Sequence, residues 1–382
     1  MKRNICVVTG SRSEYGLLKP VIEAIEADRR LRLQLVATGM HLSPKHGYSI
    51  DLIRRDGYRI AAVVDSFRAA DSGAAMAETV SLGISGLAAA FLRLKPDLLL
   101  ILGDRTEALA AAVAATYMNV PIAHIHGGDV GAGCVDNSVR DAITKLAQLH
   151  FAASRRSQRR IIRLGEEKWR VFNTGSPGID YIMKTELVPK PALFGKYRLR
   201  TDHPLALVVQ HPVTTEVGAA GGQMRATMAA VKRLGWQTTV IYPNTDAGNA
   251  AIIREINRHR RDEMIRIIPN LPHLDYLSFL KYAAIMIGNS SSGIIEAPSF
   301  KLPVVNVGVR QQGRERANNV IDVPHDAASI VAAVGKITGS GGFRSRLKRC
   351  RSPYGDGRAS ERIVKIIAGI RLGNELLQKR ID

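Results

Sequence analysis

Acidic, histidine, arginine and serine side chains gather in a few short, glycine-bearing segments, and these segments carry the chemistry of the chain. The first is Thr9-Gly-Ser-Arg-Ser-Glu-Tyr-Gly, which follows an apolar run and opens a helical pattern. Its glycines permit close backbone approach, the helix start favours an anion, and Arg12 offers a planar fork to a phosphate. An ordinary turn with an exposed arginine has the same composition. The segment is not GxGxxG, which argues against a dinucleotide cofactor. Next comes Leu102-Gly-Asp-Arg-Thr-Glu, where Asp104 either caps the following helix or transfers a proton. His124-Ile-His-Gly-Gly-Asp then runs into Val130-Gly-Ala-Gly-Cys-Val-Asp-Asn. His124 and His126 fall on one side of a strand, but two histidines without a third ligand make a poor metal site, so an acid/base or structural role is expected. Asp129 and Asp136 add carboxylates near the same place, and neighbouring carboxylates drive each other's pKa values apart as acid/base work requires.

The later segments suit a phosphate and a ribose. His211 in Val209-Gln-His-Pro can donate to a phosphate or simply satisfy a loop. Tyr242-Pro-Asn-Thr-Asp-Ala-Gly brings Asn244, which equally suits an Asx turn. In Met286-Ile-Gly-Asn-Ser-Ser-Ser-Gly-Ile-Ile-Glu, Ser290 and Ser291 form a nest for a diphosphate, with Glu296 one turn on to hold a ribose diol. Helix capping alone needs one serine, not three. Val307-Gly-Val-Arg adds Arg310 as a second phosphate fork.

The elements that must position these residues read as repeated βα units. Apolar runs at Ile5–Val8, Leu33–Ala37, Ile60–Val64, Leu98–Leu102 and Pro121–Ile125 predict strands, with helical patterns at Leu17–Ala27, Ala74–Leu94 and Thr106–Met118 between them. The runs are continuous rather than alternating, as in a parallel sheet covered on both faces. The rhythm falters over Asn173–Pro204, where the prolines after Val188 predict a linker. A second set follows at Leu205–Val209, Thr238–Ile241, Ile265–Ile268, Ala284–Ile287 and Val304–Val307. The expectation is an α/β chain of two doubly wound, Rossmann-like domains facing across a cleft. One spans residues 1–180 and the other 200–357, with an amphipathic C-terminal segment from 359 packing back on the first. Parallel sheets bind ligands outside the carboxyl ends of their strands, where the chemical segments lie.

With 382 residues, 46% hydrophobic and 23% charged, the chain has the balance of a globular protein with two cores. Cys6, Cys134 and Cys350 are scattered, without zinc-ligand spacing, which excludes a disulfide framework and fits a reducing compartment. The apolar run at the N-terminus is too short for a signal peptide and no apolar run approaches ~20 residues, so a cytoplasmic protein without a membrane partner is expected. The net charge of +20 raises nucleic acid as a partner. Aromatics are only 5%, and the arginines are spread along helices with local runs at Arg155–Arg163, Arg254–Arg261 and Arg344–Arg351, so a solvated basic surface is the preferred reading.

Taken together and in order, VTGSRSEYG, GDRTEAL, HIHGGD with VDNSVRDAITKLA, QHPVTTE, YPNTDAG, MIGNSSSGIIEA and VGVRQQGRE resemble the hydrolysing UDP-N-acetylglucosamine 2-epimerase family over nearly the whole chain. The resemblance implies the GT-B fold, no cofactor, no metal and a homo-oligomer, with a UDP-sugar as substrate and sialic- or legionaminic-type nonulosonic acid synthesis as the destination. It implies that Arg12, His211, Asn244, Ser290, Ser291, Glu296 and Arg310 hold UDP, assisted by Arg105 and Arg254, and that Asp104 and Asp136 belong to the acid/base set. His126 stands where related enzymes carry a glutamate, so either His126 or Asp129 takes over that proton transfer. A non-hydrolysing epimerase and a GT-B glycosyltransferase are the competing readings.

Overall fold

Continuous apolar runs become buried parallel strands, and the amphipathic segments between them become helices that cover both sheet faces. The computed structural model describes residues 2–44, 47–68, 72–130 and 136–380. The chain divides into two units, Met1–Asp129 with Asp136–Lys184 and Tyr354–Asp382, and Val130–Val135 with Thr185–Pro353.

The first unit runs β1 (Arg3–Thr9), α1 (Arg12–Ala27), β2 (Leu31–Thr38), α2 (Ile50–Arg55), β3 (Ile60–Val64), α3 (Gly73–Leu94) and β4 (Leu98–Leu102). It continues through α4 (Thr106–Tyr117), β5 (Ile122–Ile125), α5 (Asp136–Leu146), β6 (Leu149–Ala152), α6 (Arg155–Arg163), β7 (Val171–Asn173) and α7 (Pro177–Lys184). Its seven strands pair in parallel in the order β3-β2-β1-β4-β5-β6-β7. Successive β1 residues serve opposite faces. Ile5 and Val7 join Leu18, Ile22 and Leu100 on one side, while Cys6 and Val8 join Leu87, Phe91 and Ala111 on the other.

The second unit contains α8 (Lys190–Lys196), β8 (Leu205–Val209), α9 (Ala220–Leu234), β9 (Gln237–Ile241), α10 (Asn249–Asn257), β10 (Ile265–Ile268) and α11 (His273–Tyr282). Then come β11 (Ile285–Gly288), α12 (Ser292–Ile295), β12 (Val304–Val307), β13 (Val320–Val323), α13 (Ala327–Gly339) and α14 (Gly341–Lys348). Its parallel order is β10-β9-β8-β11-β12-β13.

From Tyr354 the chain returns to the first unit with α15 (Ala359–Gly369) and α16 (Asn374–Leu377). Ile363, Val364 and Ile367 enter the same core as Ile5 and Leu18. The buried Asp180 of α7 caps α15, accepting from Ala359 N at 2.9 Å and Ser360 N at 2.6 Å. Two orphan amides of the first turn are thereby satisfied.

Several elements differ from the sequence reading. Strands β6, β7 and β13 have only three or four residues, and β6 holds a buried histidine, so no apolar run announces them. The proline-bearing segment expected as linker forms α8, because Pro189 and Pro191 fall before and within the first turn, where a missing N–H is harmless. The C-terminal amphipathic segment breaks into two helices around Ile370–Gly373. Contrary to expectation, one run does reach membrane-spanning length: α3 has 22 residues and the necessary apolar composition. Ala75, Thr79, Gly83, Leu87, Ala90 and Phe91 line its buried stripe, and Gly83 lies so close to Ala110 of α4 that a Cβ there would sit at 2.8 Å. That is the pattern of a helix laid on a sheet.

Candidate functional site

Both sheets reverse their winding once, between β1 and β4 in the first unit and between β8 and β11 in the second. Loops at such a switch point splay to opposite faces and leave room for a ligand at the strands' carboxyl ends. The four loops concerned contain Arg12, Asp104, His211 and Ser290.

In the first unit the loops are locked by carboxylates. Ser11 caps α1 by accepting from Glu14 N, while the Glu14 carboxyl accepts from Gly10 N at 2.6 Å, one residue before the position a capping box would use. Gly10 N is therefore already occupied, and Arg12, at the first position of α1, is the cationic group this loop can offer an anion. Glu107 wedges into both neighbouring loops. A Cβ on Gly10 would meet its Cδ at 2.6 Å, and one on Gly39, at φ +62°, would collide with its Oε1. Burial, with the nearby Glu107 charge adding, pushes Glu14 up to about 8. Arg105 lies with its Nε 3.5 Å from Glu107 Oε2, half turned to that carboxylate.

His124 braces the Asp104 turn. Burial drives it down to about 3, so the ring is neutral. Its Nε2 lies 2.7 Å from Gly103 O and its Nδ1 3.4 Å from the Thr144 hydroxyl, which fixes the Nε2–H tautomer. His41 behaves alike, neutral by burial and bridging Thr9 and Ser49. Among the described residues no histidine, cysteine or carboxylate cluster could hold a metal ion.

Asp104 pairs with Arg140 of α5, a buried arginine that sequence reasoning passed over. Arg140 also donates to Asp129 O at 2.8 Å and to Asn137 Oδ1 at 3.0 Å. One guanidinium thus ties the turn after β4 to the turn after β5. The only sequence signal was its place in VDNSVRDAITKLA, one helical turn after Asp136. The Asp136 side chain lies outside the described residues. His126 and Asp129 are buried and in mutual contact, Nδ1 to Oδ2, at 2.9 Å.

In the second unit, Asn289 at the end of β11 exchanges hydrogen bonds with the backbone of His211, accepting from its N at 2.7 Å and donating to its O at 2.9 Å. His211 Nδ1 accepts from Asn244 N at 3.0 Å, so in the neutral ring the proton sits on Nε2. Three strand ends, β8, β9 and β11, are bolted together by these bonds. Asn289 O in turn accepts from Arg310 at 3.3 Å and from Gln311 at 2.8 Å. Ser290 and Ser292 hydroxyls lie 3.0 Å apart, and Tyr276 of α11, also missed in the sequence, bonds Ser292. Ser291 stands directly before α12, and Glu296 follows its last residue. Burial raises Glu296 to about 7. His211, Asn244, Ser290 and Arg310 thus come together, whereas Arg254 is exposed on α10 and shares no hydrogen bond with them.

Comparison with known proteins accords with this arrangement. The UDP-N-acetylglucosamine 2-epimerase family matches residues 23–368. UDP-N,N'-diacetylbacillosamine 2-epimerase (hydrolyzing) of Legionella pneumophila is 36% identical over 383 residues, 99% of each chain. GDP/UDP-N,N'-diacetylbacillosamine 2-epimerase (hydrolyzing) of Campylobacter jejuni is 36% identical over 84% of each. The crystal structure of UDP-GlcNAc 2-epimerase from Neisseria meningitidis bound to UDP-GlcNAc superposes with a TM-score of 0.80 at 20% identity, covering 95% of this chain and 99% of that one, and so shares its two-domain, GT-B-like fold. The chain belongs to the UDP-N-acetylglucosamine 2-epimerase family and is an enzyme of its hydrolysing branch.

Proposed function

We propose that the protein converts a UDP-2-acetamido sugar into UDP and the free C2-inverted sugar. The observation that carries this reading is the full-length 36% identity to a hydrolysing epimerase, together with the polar groups at both topological switch points. A base takes the C2 proton as the C1–O bond to UDP breaks, giving a 2-acetamidoglycal. Water then adds across the double bond, hydroxyl to C1 and proton to the opposite face of C2. The C2 proton is weakly acidic, so the departing diphosphate needs stabilisation by preorganised donors. Arg12, His211, Asn244, Ser290, Ser291 and Arg310 serve UDP in this reading, with Arg105 and Arg254 in support, and Glu296 takes the ribose diol. Asp104, Asp136, His126 and Asp129 form the acid/base set. A UDP-2,4-diacetamido-2,4,6-trideoxyhexose is favoured over UDP-GlcNAc, because both relatives at 36% identity are named for diacetylbacillosamine. The product would feed nonulosonic acid synthesis of the legionaminic or sialic type. The reading includes a cytoplasmic location, where the buried thiols of Cys6 and Cys350 stay reduced, and a homo-oligomer, for which exposed Leu92 and Tyr117 offer apolar surface.

The test is incubation with both UDP-sugars in deuterated water. Free sugar carrying one deuterium at C2, with an equivalent of UDP, is expected; a UDP-linked epimer would overturn the hydrolytic step. Asp104→Asn and Asp136→Asn should each abolish turnover while calorimetric UDP affinity holds, and Arg310→Ala should weaken that affinity. Normal rates in both aspartate variants would remove them from the acid/base set.

A further inference from the structure

His126 leaves β5 in a backbone conformation that side chains rarely adopt, with φ +65°. Such strain persists only where surrounding contacts over-determine it, and it concentrates at functional positions. Here the contacts are specific. His126 N donates to Phe151 O at 3.1 Å, and both ring nitrogens are engaged, Nδ1 with Asp129 Oδ2 and Nε2 with Ser176 Oγ, each at 2.9 Å. The second oxygen of Asp129 accepts from the Ser157 hydroxyl at 2.7 Å. Ser176, His126, Asp129 and Ser157 form one buried chain of hydrogen bonds, with the His126 side chain 8% and the Asp129 side chain 3% exposed.

The donor count in this chain sets the ring's tautomer. Ser157 has only a hydroxyl to offer Asp129, which accepts it as a carboxylate. The other carboxylate oxygen then requires a donor, so His126 carries its proton on Nδ1. Its Nε2 is left as acceptor, and the Ser176 hydroxyl supplies the proton. The order serine–histidine–aspartate matches that of a hydrolytic triad. Ser176 is wholly buried, however, and cannot attack a substrate. Its place is fixed from elsewhere: Ser176 N donates to Tyr354 O at 2.7 Å, and Gly175, at φ +87°, packs against Gly355, where a Cβ would lie 3.2 Å from Gly355 Cα. The returning C-terminal segment therefore sets the position of Ser176.

We propose that Ser176 is a positioning residue for the epimerisation: its hydroxyl, donating to Nε2, fixes the plane of the His126 ring, whose Nδ1–H is set by Asp129. The proposal rests on His126 belonging to the acid/base set.

The experiment combines nitrogen-15 NMR of the imidazoles with kinetics. In the wild-type chain, with His126 assigned by comparison with His126→Gln, a protonated Nδ1 and a bare Nε2 are expected in the neutral ring; the opposite tautomer overturns the proposal without any serine variant. In Ser176→Ala the Nδ1–H tautomer should persist on Asp129 while the Nε2 signal shifts, with kcat lowered about tenfold, the worth of one hydrogen bond, and KM within about twofold of wild type. Ser176→Cys, which restores a weak donor, should recover part of kcat. Unchanged kcat and an unchanged His126 signal in Ser176→Ala, beside an inactive His126→Gln, would refute the role of Ser176. A fully active His126→Gln would instead remove His126 from the acid/base set, whatever Ser176 does.

Discussion

Replacing Glu14 by Gln should make the first unit more stable, increasingly so as pH rises. Glu14 is buried among loop backbone and beside Glu107, and burial lifts it from 4.5 to about 8. Between these values the folded chain keeps the proton that the unfolded chain has released. The difference in bound protons, unfolded minus folded, is then −1, so stability falls as pH rises. The contribution is fully present below pH 4.5, declines at about 1.4 kcal/mol per unit, and is gone above pH 8. Glutamine keeps a carbonyl to accept from Gly10 N and never ionises. Over the three units from pH 5 to pH 8 the variant should therefore gain about 4 kcal/mol on the wild type. Glu296 and His41 titrate alike in both proteins and cancel in the difference. Of the two tryptophans, Trp169 lies in the first unit and Trp236 in the second. In a Trp236→Phe background, urea unfolding followed by Trp169 fluorescence at pH 5, 6, 7 and 8 reads the first unit alone. A difference that stays constant within about 1 kcal/mol across that range would refute the argument, since Glu14 would then be ionised in both states.

Two further substitutions test the site's framework. Gly39→Ala places a Cβ against Glu107 in a left-handed conformation, and strain plus overpacking should destabilise the first unit by about 2–4 kcal/mol in urea unfolding. Adding Glu107→Ala should restore the part due to overpacking; a loss under about 1 kcal/mol for Gly39→Ala alone would show that the loop yields. His211→Ala removes the Nε2–H donor fixed by Asn244 and should weaken calorimetric UDP affinity about 10- to 100-fold, the range for a hydrogen bond to a charged group. Equal affinity would take His211 out of UDP binding.

Much of the fold was legible because a buried parallel strand announces itself as a continuous apolar run. β1, β4, β8 and β11 do so in VVT, LLLIL, LALVV and IMIG, and each is followed by a glycine or polar break. Strands β6, β7 and β13 were not legible. In β6 His150, whose tertiary partner is Glu166 at 3.1 Å, interrupts the buried apolar residues Leu149, Phe151 and Ala152, so the local pattern hides a strand that a distant contact completes. The same holds for the chain's return. That α15 joins the first unit depends on Asp180 capping it and on Arg3 reaching Ile370 O at 2.8 Å, contacts across 179 and 367 residues that no local period encodes.

The site divides along the same line. Residues that act from a strand's own end, such as Asp104, His211 and Ser290, stand out because glycine and polar chemistry interrupt an apolar run at that place. Residues that act by reaching across, such as Arg140, Ser176 and Tyr276, look ordinary, since a helix arginine or a turn serine is usually solvated. Their importance arises from burial: a guanidinium or hydroxyl withdrawn from water must find a partner, and here the partners are Asp104, His126 and Ser292. His126 shows why type alone misleads. At the sequence level a histidine in place of the family glutamate reads as a substitute base, yet both its nitrogens are held by protein groups. In the proposed acid/base role a proton would have to pass one of those partners, so an imidazole in place of a carboxylate at this position would change the route of the proton as well as its carrier.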